Sequence, residues 1–241
     1  MKRYLEYYKN EWPENIAELT AVENWPFVGY LNGKEVLYTV VSKPVTGPTD
    51  NEIWYTTSDK TTVGPESAVS AMPGSAAFGV NIISNTYDGD KGIIVCDNPI
   101  LYINGGSFLQ LNNLTSIILP NSITELRSGS IQDCSGLTEI ILSKNLKITQ
   151  SGILSRTDLR EVEFPEGFEQ LGMGTLAFCN NLSKVILPDS ITSIPTGVLN
   201  NWPATTNIIY KGTKEQLLNI IVEWDGNQGK IIHCIDGDVV L

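Results

Sequence analysis

Apolar residues along the middle of this chain recur with a period that neither one helix nor one strand produces. Four segments, beginning at Leu114, Leu137, Leu159 and Leu182, superimpose at spacings of 23, 22 and 23 residues. The first places apolar side chains at Leu114, Ile117, Leu119, Ile123, Leu126, Ile131 and Cys134. The second supplies Leu137, Ile140, Leu142 and Leu146, and the fourth Leu182, Val185, Leu187, Ile191 and Ile194. A unit of this size cannot bury such a set alone, so the repeat predicts a solenoid whose neighbouring coils complete one another's core. Within the first unit the stretch 114–119 turns Leu114, Ile117 and Leu119 inward and Ser116 and Ile118 outward, as a strand does. Pro120, Pro165 and Pro188 end the strand, because proline brings no donor to a ladder. The remainder of each unit is an arc rich in small and polar residues.

The stretches LTSIILPNSITEL, LREVEFPEGFEQLGMGTLAFCNN and LSKVILPDSITSIPTGVLNN carry shared punctuation, and Leu-Pro-x-Ser-Ile-Thr recurs at 119–124 and 187–192. This text resembles the BspA-type, or Treponema pallidum-type, leucine-rich repeat over residues 91–226. Extending the register backward puts Ile94, Cys96, Ile100, Ile103 and Phe108 on core positions, and extending it forward puts Ile208 and Tyr210 on strand positions. The second full copy is one residue short and is read with Arg156 at the place of Cys134 and Cys179, while the last copy has Trp202 there. The resemblance implies surface display and protein binding, including adhesin-like roles, in a cell-surface or secreted bacterial protein.

The ends differ from the repeats. Ten of the 20 aromatic residues fall within the first 55 positions, Trp12, Trp25 and Trp54 among them, which marks a separate aromatic-rich block. Phe27–Leu31 and Lys34–Val41 around Asn32-Gly33 predict a hairpin, since Asn-Gly accepts the positive dihedrals of a two-residue turn. A short helix is expected over 14–22, and the turn formers of 43–50 mark a linker. Strands at 53–57 and 79–83 then lead into the repeats as a covering segment, which solenoid ends require. At the far end Thr213-Lys-Glu-Gln216 has capping-box spacing, so a helix starts there with Leu217, Ile220, Ile221 and Trp224 on one face, until Asp225-Gly226. Residues 231–235 and 238–241 around Asp236-Gly237 predict a closing hairpin.

The expected architecture is therefore mainly β with short helical segments: a leucine-rich-repeat solenoid with a small N-terminal β-rich module and a C-terminal helix-hairpin cap. The expected divisions are an aromatic-rich module and linker over 1–50, a covering segment over 51–90, repeats over 91–226 and a hairpin cap over 227–241.

Charge and residue supply narrow the function. The formal charge is −11, with 13 acidic and 7 basic residues in 1–113 and 14 and 9 in 114–241, so no basic face offers itself to phosphate and nucleic acid is not an expected partner. Cys96, Cys134, Cys179 and Cys234 lie 38, 45 and 55 residues apart, without the close pairs of a zinc or redox site, and read as small buried hydrophobes. The single histidine, His233, alternates with apolar neighbours in an expected strand, and no nucleophile elbow, zinc or phosphate-loop motif occurs; an enzyme is not expected, nor a cofactor. Glu161, Glu163, Glu166 and Glu169 read as a solvated acidic patch rather than a glycosidase pair. Asp88-Gly-Asp90 and Asp236-Gly-Asp238 read as turns rather than calcium loops. The residues after Met1-Lys2-Arg3 lack the apolar run of a secretory signal, and no stretch approaches a membrane span. Surface location thus rests on the resemblance, and either a leader has been removed or the chain reaches its partner otherwise, for example as a phage-associated protein.

What remains is a binding scaffold. Alternation sets Ile118, Ile141, Glu163, Ile186 and Ile209 side by side on the outer sheet face, with Ser116, Glu139, Glu161, Lys184 and Asn207 beside them. An apolar row in water invites a protein partner, unless another part of the chain covers it. The alternative is carbohydrate binding by stacking on the N-terminal aromatics, Trp12 and Trp25 above all.

Overall fold

The computed structural model describes residues 26–31, 34–39, 47–64, 77–195, 198–199, 202–220 and 229–240. The chain divides into two compact units, Met1–Thr46 and Gly47–Leu241. In the first, β1 (Pro26–Leu31) and β2 (Lys34–Thr39) pair antiparallel, with Phe27 opposite Tyr38 and Leu31 opposite Lys34. That register leaves two residues, Asn32 and Gly33, between the strands, as the Asn-Gly signal requires. The expected helix over 14–22 and the start of the linker lie outside the described residues.

In the second unit most coils contribute one longer and one very short β segment: the chain leaves the ladder, at Pro120, Pro165 and Pro188 in three of them, and touches it again six or seven residues after the long strand ends. The longer strands are β5 (Gly92–Cys96), β7 (Leu114–Ile118), β9 (Glu139–Ile141), β11 (Glu161–Glu163), β12 (Lys184–Leu187) and β13 (Asn207–Tyr210). The short ones, β6 (Tyr102–Ile103), β8 (Glu125–Leu126) and β10 (Ile148–Thr149), stack parallel and continue as single bridges at Gln170 and Ser193. The arcs between them are turns, with a 3-10 conformation at Leu199 and no described α-helix.

Leu114, Leu137, Leu159 and Leu182 stand in one buried file, as do Phe108, Ile131, Leu154, Leu176 and Leu199 on the arc side. Ile94, Cys96, Ile100 and Ile103 join the same core. The coils interlock by backbone bonds one repeat apart, such as Thr138 N–H to the Thr115 carbonyl at 3.0 Å and Ser183 N–H to the Arg160 carbonyl at 2.8 Å. Gly172 permits one of these approaches, since a Cβ there would lie 2.1 Å from the Gln150 carbonyl oxygen.

The covering segment differs from expectation. The first strand, β3 (Glu52–Thr57), does not lie over the solenoid end; it is inserted antiparallel between β5 and β7, giving the sheet order β4-β5-β3-β7-β9. The second, β4, spans Ile82–Tyr87 rather than 79–83, because Gly79 has φ +70° and belongs to the preceding turn. Below this insertion β6 and β8 still pair directly, so the first coil is spread on one side only.

The register of the short copy also needs correction. Thr157, not Arg156, occupies the place of Cys134 and Cys179: it is buried, and its hydroxyl donates to the Leu154 carbonyl at 2.9 Å and lies 3.2 Å from Cys179 Sγ. The missing residue therefore falls just after it, at Asp158. Arg156 aligns instead with Gln110, Asp133 and Phe178, a column in which every residue has φ between 55° and 60°. Holding side chains other than glycine there costs roughly 1–2 kcal/mol each, offset by coil-to-coil bonds such as Arg156 N–H to the Ala177 carbonyl at 2.8 Å.

After β13 comes α1 (Lys214–Ile220), whose capping box closes in both directions: Gln216 N–H donates to Thr213 Oγ1 at 3.2 Å and Thr213 N–H to Gln216 Oε1 at 2.8 Å. Leu217 is fully buried; Ile221 and Trp224 lie outside the described residues. The strand β14 (Ile231–Cys234) continues the sheet parallel to β13, and β15 (Gly237–Val240) returns antiparallel. The turn is Ile235-Asp236, one position before the expected Asp236-Gly237, with Gly237 paired to Cys234.

Two measurements check this packing. Among the described residues Thr175 Oγ1 is buried without a hydrogen-bond partner, an arrangement that forfeits solvation for nothing. Thr175→Val keeps the shape and is expected to raise unfolding stability by about 1 kcal/mol in a denaturant titration. Burial pushes the Cys96 thiol up to about 11 and the Cys134 thiol up to about 12, while Cys234 is only partly covered. Iodoacetamide at pH 8 is expected to label native protein first at Cys234 and all four cysteines after unfolding, read by mass spectrometry.

Candidate functional site

The outward row exists, but in two parts of different chemistry. Across the first sheet Ile118 pairs laterally with Ile141 on one side and with Trp54 on the other, and Trp54 pairs in turn with Ile93. Trp54, Ile93 and Ile118 are half-buried and Ile141 is exposed, so four neighbouring strands present one apolar band to solvent. Lys91 Nζ sits 3.3 Å from the centroid of the Trp54 ring, and Trp54 Nε1 donates to Glu52 Oε2 at 3.0 Å. The indole is thus positioned by a cation over its face and a carboxylate at its edge. Beside this band Ser116 meets Thr56, hydroxyl to hydroxyl at 2.7 Å.

Across the second sheet Glu163, Ile186, Ile209 and His233 form the corresponding row, and Glu161, Lys184 and Asn207 the adjacent one. Here ion pairs flank the isoleucines. Glu161 pairs with Lys184 at 3.6 Å, and Lys211 bridges Glu163 at 2.9 Å and Glu166 at 2.7 Å. The Glu166 and Glu163 carboxylates hold the Lys211 ammonium above its usual range. Glu169 pairs with Lys147 at 3.5 Å, so all four clustered glutamates face lysines. His233 lies exposed on β14 with Nδ1 2.8 Å from Asp238 Oδ1.

The two parts do not join. Between β9 and β11 no strand pairing forms, and these strands edge separate sheets. The rungs that the repeat predicts there, Arg160 N–H to the Thr138 carbonyl and Leu142 N–H to the Glu163 carbonyl, are missing; their equivalents one coil on, Ser183 to Arg160 and Phe164 to Ile186, are present at 2.8 and 3.0 Å. Ile140, whose counterparts Ile117, Val162, Val185 and Ile208 are all buried, is only half-buried beside this gap. The edge ladder of polar side chains is broken at the same level: Ser135 Oγ donates to Asn112 Oδ1 and Asn181 Nδ2 to Asp158 Oδ1, with no bond from Ser135 to Asp158. A notch of about 430 Å³ opens there, lined by Ser135, Asp158, Asn180 and Asn181, with Arg156 and the exposed Phe178 at its rim.

Of the residues expected from sequence, Ile118 and Ile141 are brought together, as are Ile186 and Ile209, while Glu163 stands across the gap from Ile141. Trp54 and Ile93 were missed. The signal for Trp54 is in the text: Trp54-Tyr55 places two aromatics in succession on a strand, so one must face out. The notch was legible only as a repeat one residue short. Trp12 and Trp25 lie outside the described residues. Among the described residues no three His, Cys, Asp or Glu side chains converge to hold a metal, and no helix is long and apolar enough to cross a membrane.

Stacked coils with a parallel strand in each, joined by irregular arcs around a continuous apolar file, define a leucine-rich-repeat solenoid. The family model described as BspA type leucine rich repeat region matches six copies over residues 92–218, and the chain belongs to that family. Among solved structures it is similar to a leucine rich cell surface protein from Faecalibacterium prausnitzii (26% identity over 52% of this chain and 34% of the other, TM-score 0.48). A leucine rich repeat protein of T. pallidum (21%, 48% and 53%, TM-score 0.45) and one from Bacteroides ovatus (22%, 55% and 39%, TM-score 0.37) are also similar. The chain thus spans about a third to a half of the lengths of these proteins. A comparison with curated protein sequences gives no match.

Proposed function

We propose that this chain is a non-catalytic scaffold that binds another protein through the outer face of its repeat sheet, in an adhesin-like role at a cell surface or outside the cell. The observation that carries this reading is the apolar band Ile93–Trp54–Ile118–Ile141, which stands in solvent with its tryptophan already positioned. Large, rigid side chains with few rotamers to lose make good anchors, and tryptophan is enriched among residues that dominate interfaces. Polar rows of Ser116 and Glu139 border the band, and Glu161 and Lys184 border the separate row of Glu163, Ile186 and Ile209 across the gap, the arrangement of an apolar centre with a polar rim. The cell-surface setting rests on the family. Residues 1–50 are proposed as a separate aromatic-rich module, 51–90 as an entry segment that inserts β3 into the first sheet and covers the outer edge of β5 with β4, 91–226 as the repeats and 227–241 as the closing hairpin.

The test is a binding titration of the full chain against immobilised extracellular-matrix proteins, beside a variant carrying Ile141→Lys and Ile186→Lys. Both residues are outward on the sheet, so the variant should melt as the parent does. Binding is expected to weaken at least tenfold, about 1.4 kcal/mol. Unaltered binding together with an unaltered association state would overturn the reading.

A further inference from the structure

We infer that the gap between β9 and β11 is a docking slot for an extended peptide segment of a partner protein, which enters as an antiparallel strand and joins the two sheets into one. This deepens the protein-binding reading above and rests on it.

The chain itself contains the occupied form of this arrangement. At its first coil, β5 and β7 run parallel but do not touch; β3 lies antiparallel between them and pairs with both, while β6 and β8 beneath remain directly paired. One coil pair further along, β9 and β11 run in the same sense and are again unpaired, while Ile148 and Gln170 beneath remain bridged. The difference is that nothing among the described residues fills the second opening. Its cause is local. The turn entering β11 has one residue, Asp158, where the equivalent turns have Ser135-Gly136 and Asn180-Asn181, so the short copy delivers its strand out of step with the one before. Two sheet edges are left facing each other, and edges seek strands.

The flanking side chains specify the guest. The pairing of β3, with Trp54, Tyr55 and Thr56 opposite Ile118, Ile117 and Ser116, sets the pattern: outward, inward, outward. Transferred to the slot, the middle residue of the guest faces the half-buried Ile140 and the buried Val162 and must be apolar and compact. Its neighbours stand outward between Glu139 and Glu161 on one side and between Ile141 and Glu163 on the other. Among the described residues Glu139 has no ion-pair partner. An alternating apolar and basic strand meets both demands, and backbone pairing supplies affinity whatever the remaining sequence.

The experiment is fluorescence anisotropy of the full chain with a terminally blocked nonapeptide of alternating valine and lysine. Saturable binding is expected. The same peptide methylated on alternate amide nitrogens keeps its charge and side chains but cannot complete a ladder, and should bind at least tenfold more weakly. Replacing its lysines by glutamates should also abolish binding. A variant with one glycine inserted between Asp158 and Leu159 restores the 23-residue period; it is expected to close the slot and lose the peptide while still unfolding cooperatively. Hydrogen exchange on the unmodified chain gives a second readout: the peptide should protect the amides of Leu142 and Arg160. No saturable binding, equal binding of the methylated peptide, retention by a folded insertion variant, or no protection at those two amides overturns the proposal. Ile186→Lys lies outside the slot and should leave peptide binding intact, so loss of the outer face and loss of the slot are separately visible.

Discussion

Each coil of this protein presents apolar side chains on both flanks, and only the adjacent coils can cover them. Everything else follows from that dependence. The file of Leu114, Leu137, Leu159 and Leu182 is buried because each leucine packs against the next, one repeat away. The backbone bonds that lock the coils run between the same pairs. A solenoid of this kind is stabilised neighbour by neighbour, so a local change in one copy is felt at its two interfaces and little beyond.

That locality explains how the sheet tolerates two interruptions. At β3 a strand from outside the repeat spreads two coils on one side while the short strands on the other hold them together. At Asp158 the loss of one residue unpairs β9 from β11, and the bridge between Ile148 and Gln170 again holds the far side. In both places the arc residues keep their left-handed conformations and coil-to-coil bonds, as at Gln110 and Arg156. Both interruptions thus fall among the long strands, on the face with the apolar band, while the short strands stay continuous across them.

The surface chemistry fits a binding role better along one half than the other. Around Ile186 and Ile209, lysine–glutamate pairs stand close, and exposed pairs of this kind add little stability but keep a face soluble. Around Trp54 and Ile118 only one cation–π contact and one indole hydrogen bond intervene, and the apolar surface is correspondingly more continuous. The single histidine contacts Asp238, and the four glutamates of the third copy are absorbed into ion pairs with lysines on the surface.

The repeat, its inward files and the outward positions of Ile118, Ile141, Ile186 and Ile209 were legible in the sequence because period and alternation are local properties that survive any tertiary arrangement. The Thr213 capping box was legible for the same reason. The register of Arg156 was misread, since a one-residue gap can be placed on either side of a residue until burial shows that Thr157 faces the core. Strand 82–87 and the Ile235-Asp236 turn moved by one to four positions, as ends set by pairing partners do. The sequence by itself determined that coils would stack and which side chains would fill them. Only tertiary structure decided that β3 would enter the sheet, because strand pairing joins residues far apart in the chain and leaves no periodic trace, and that the one-residue deficit would part β9 from β11 rather than be taken up in an arc.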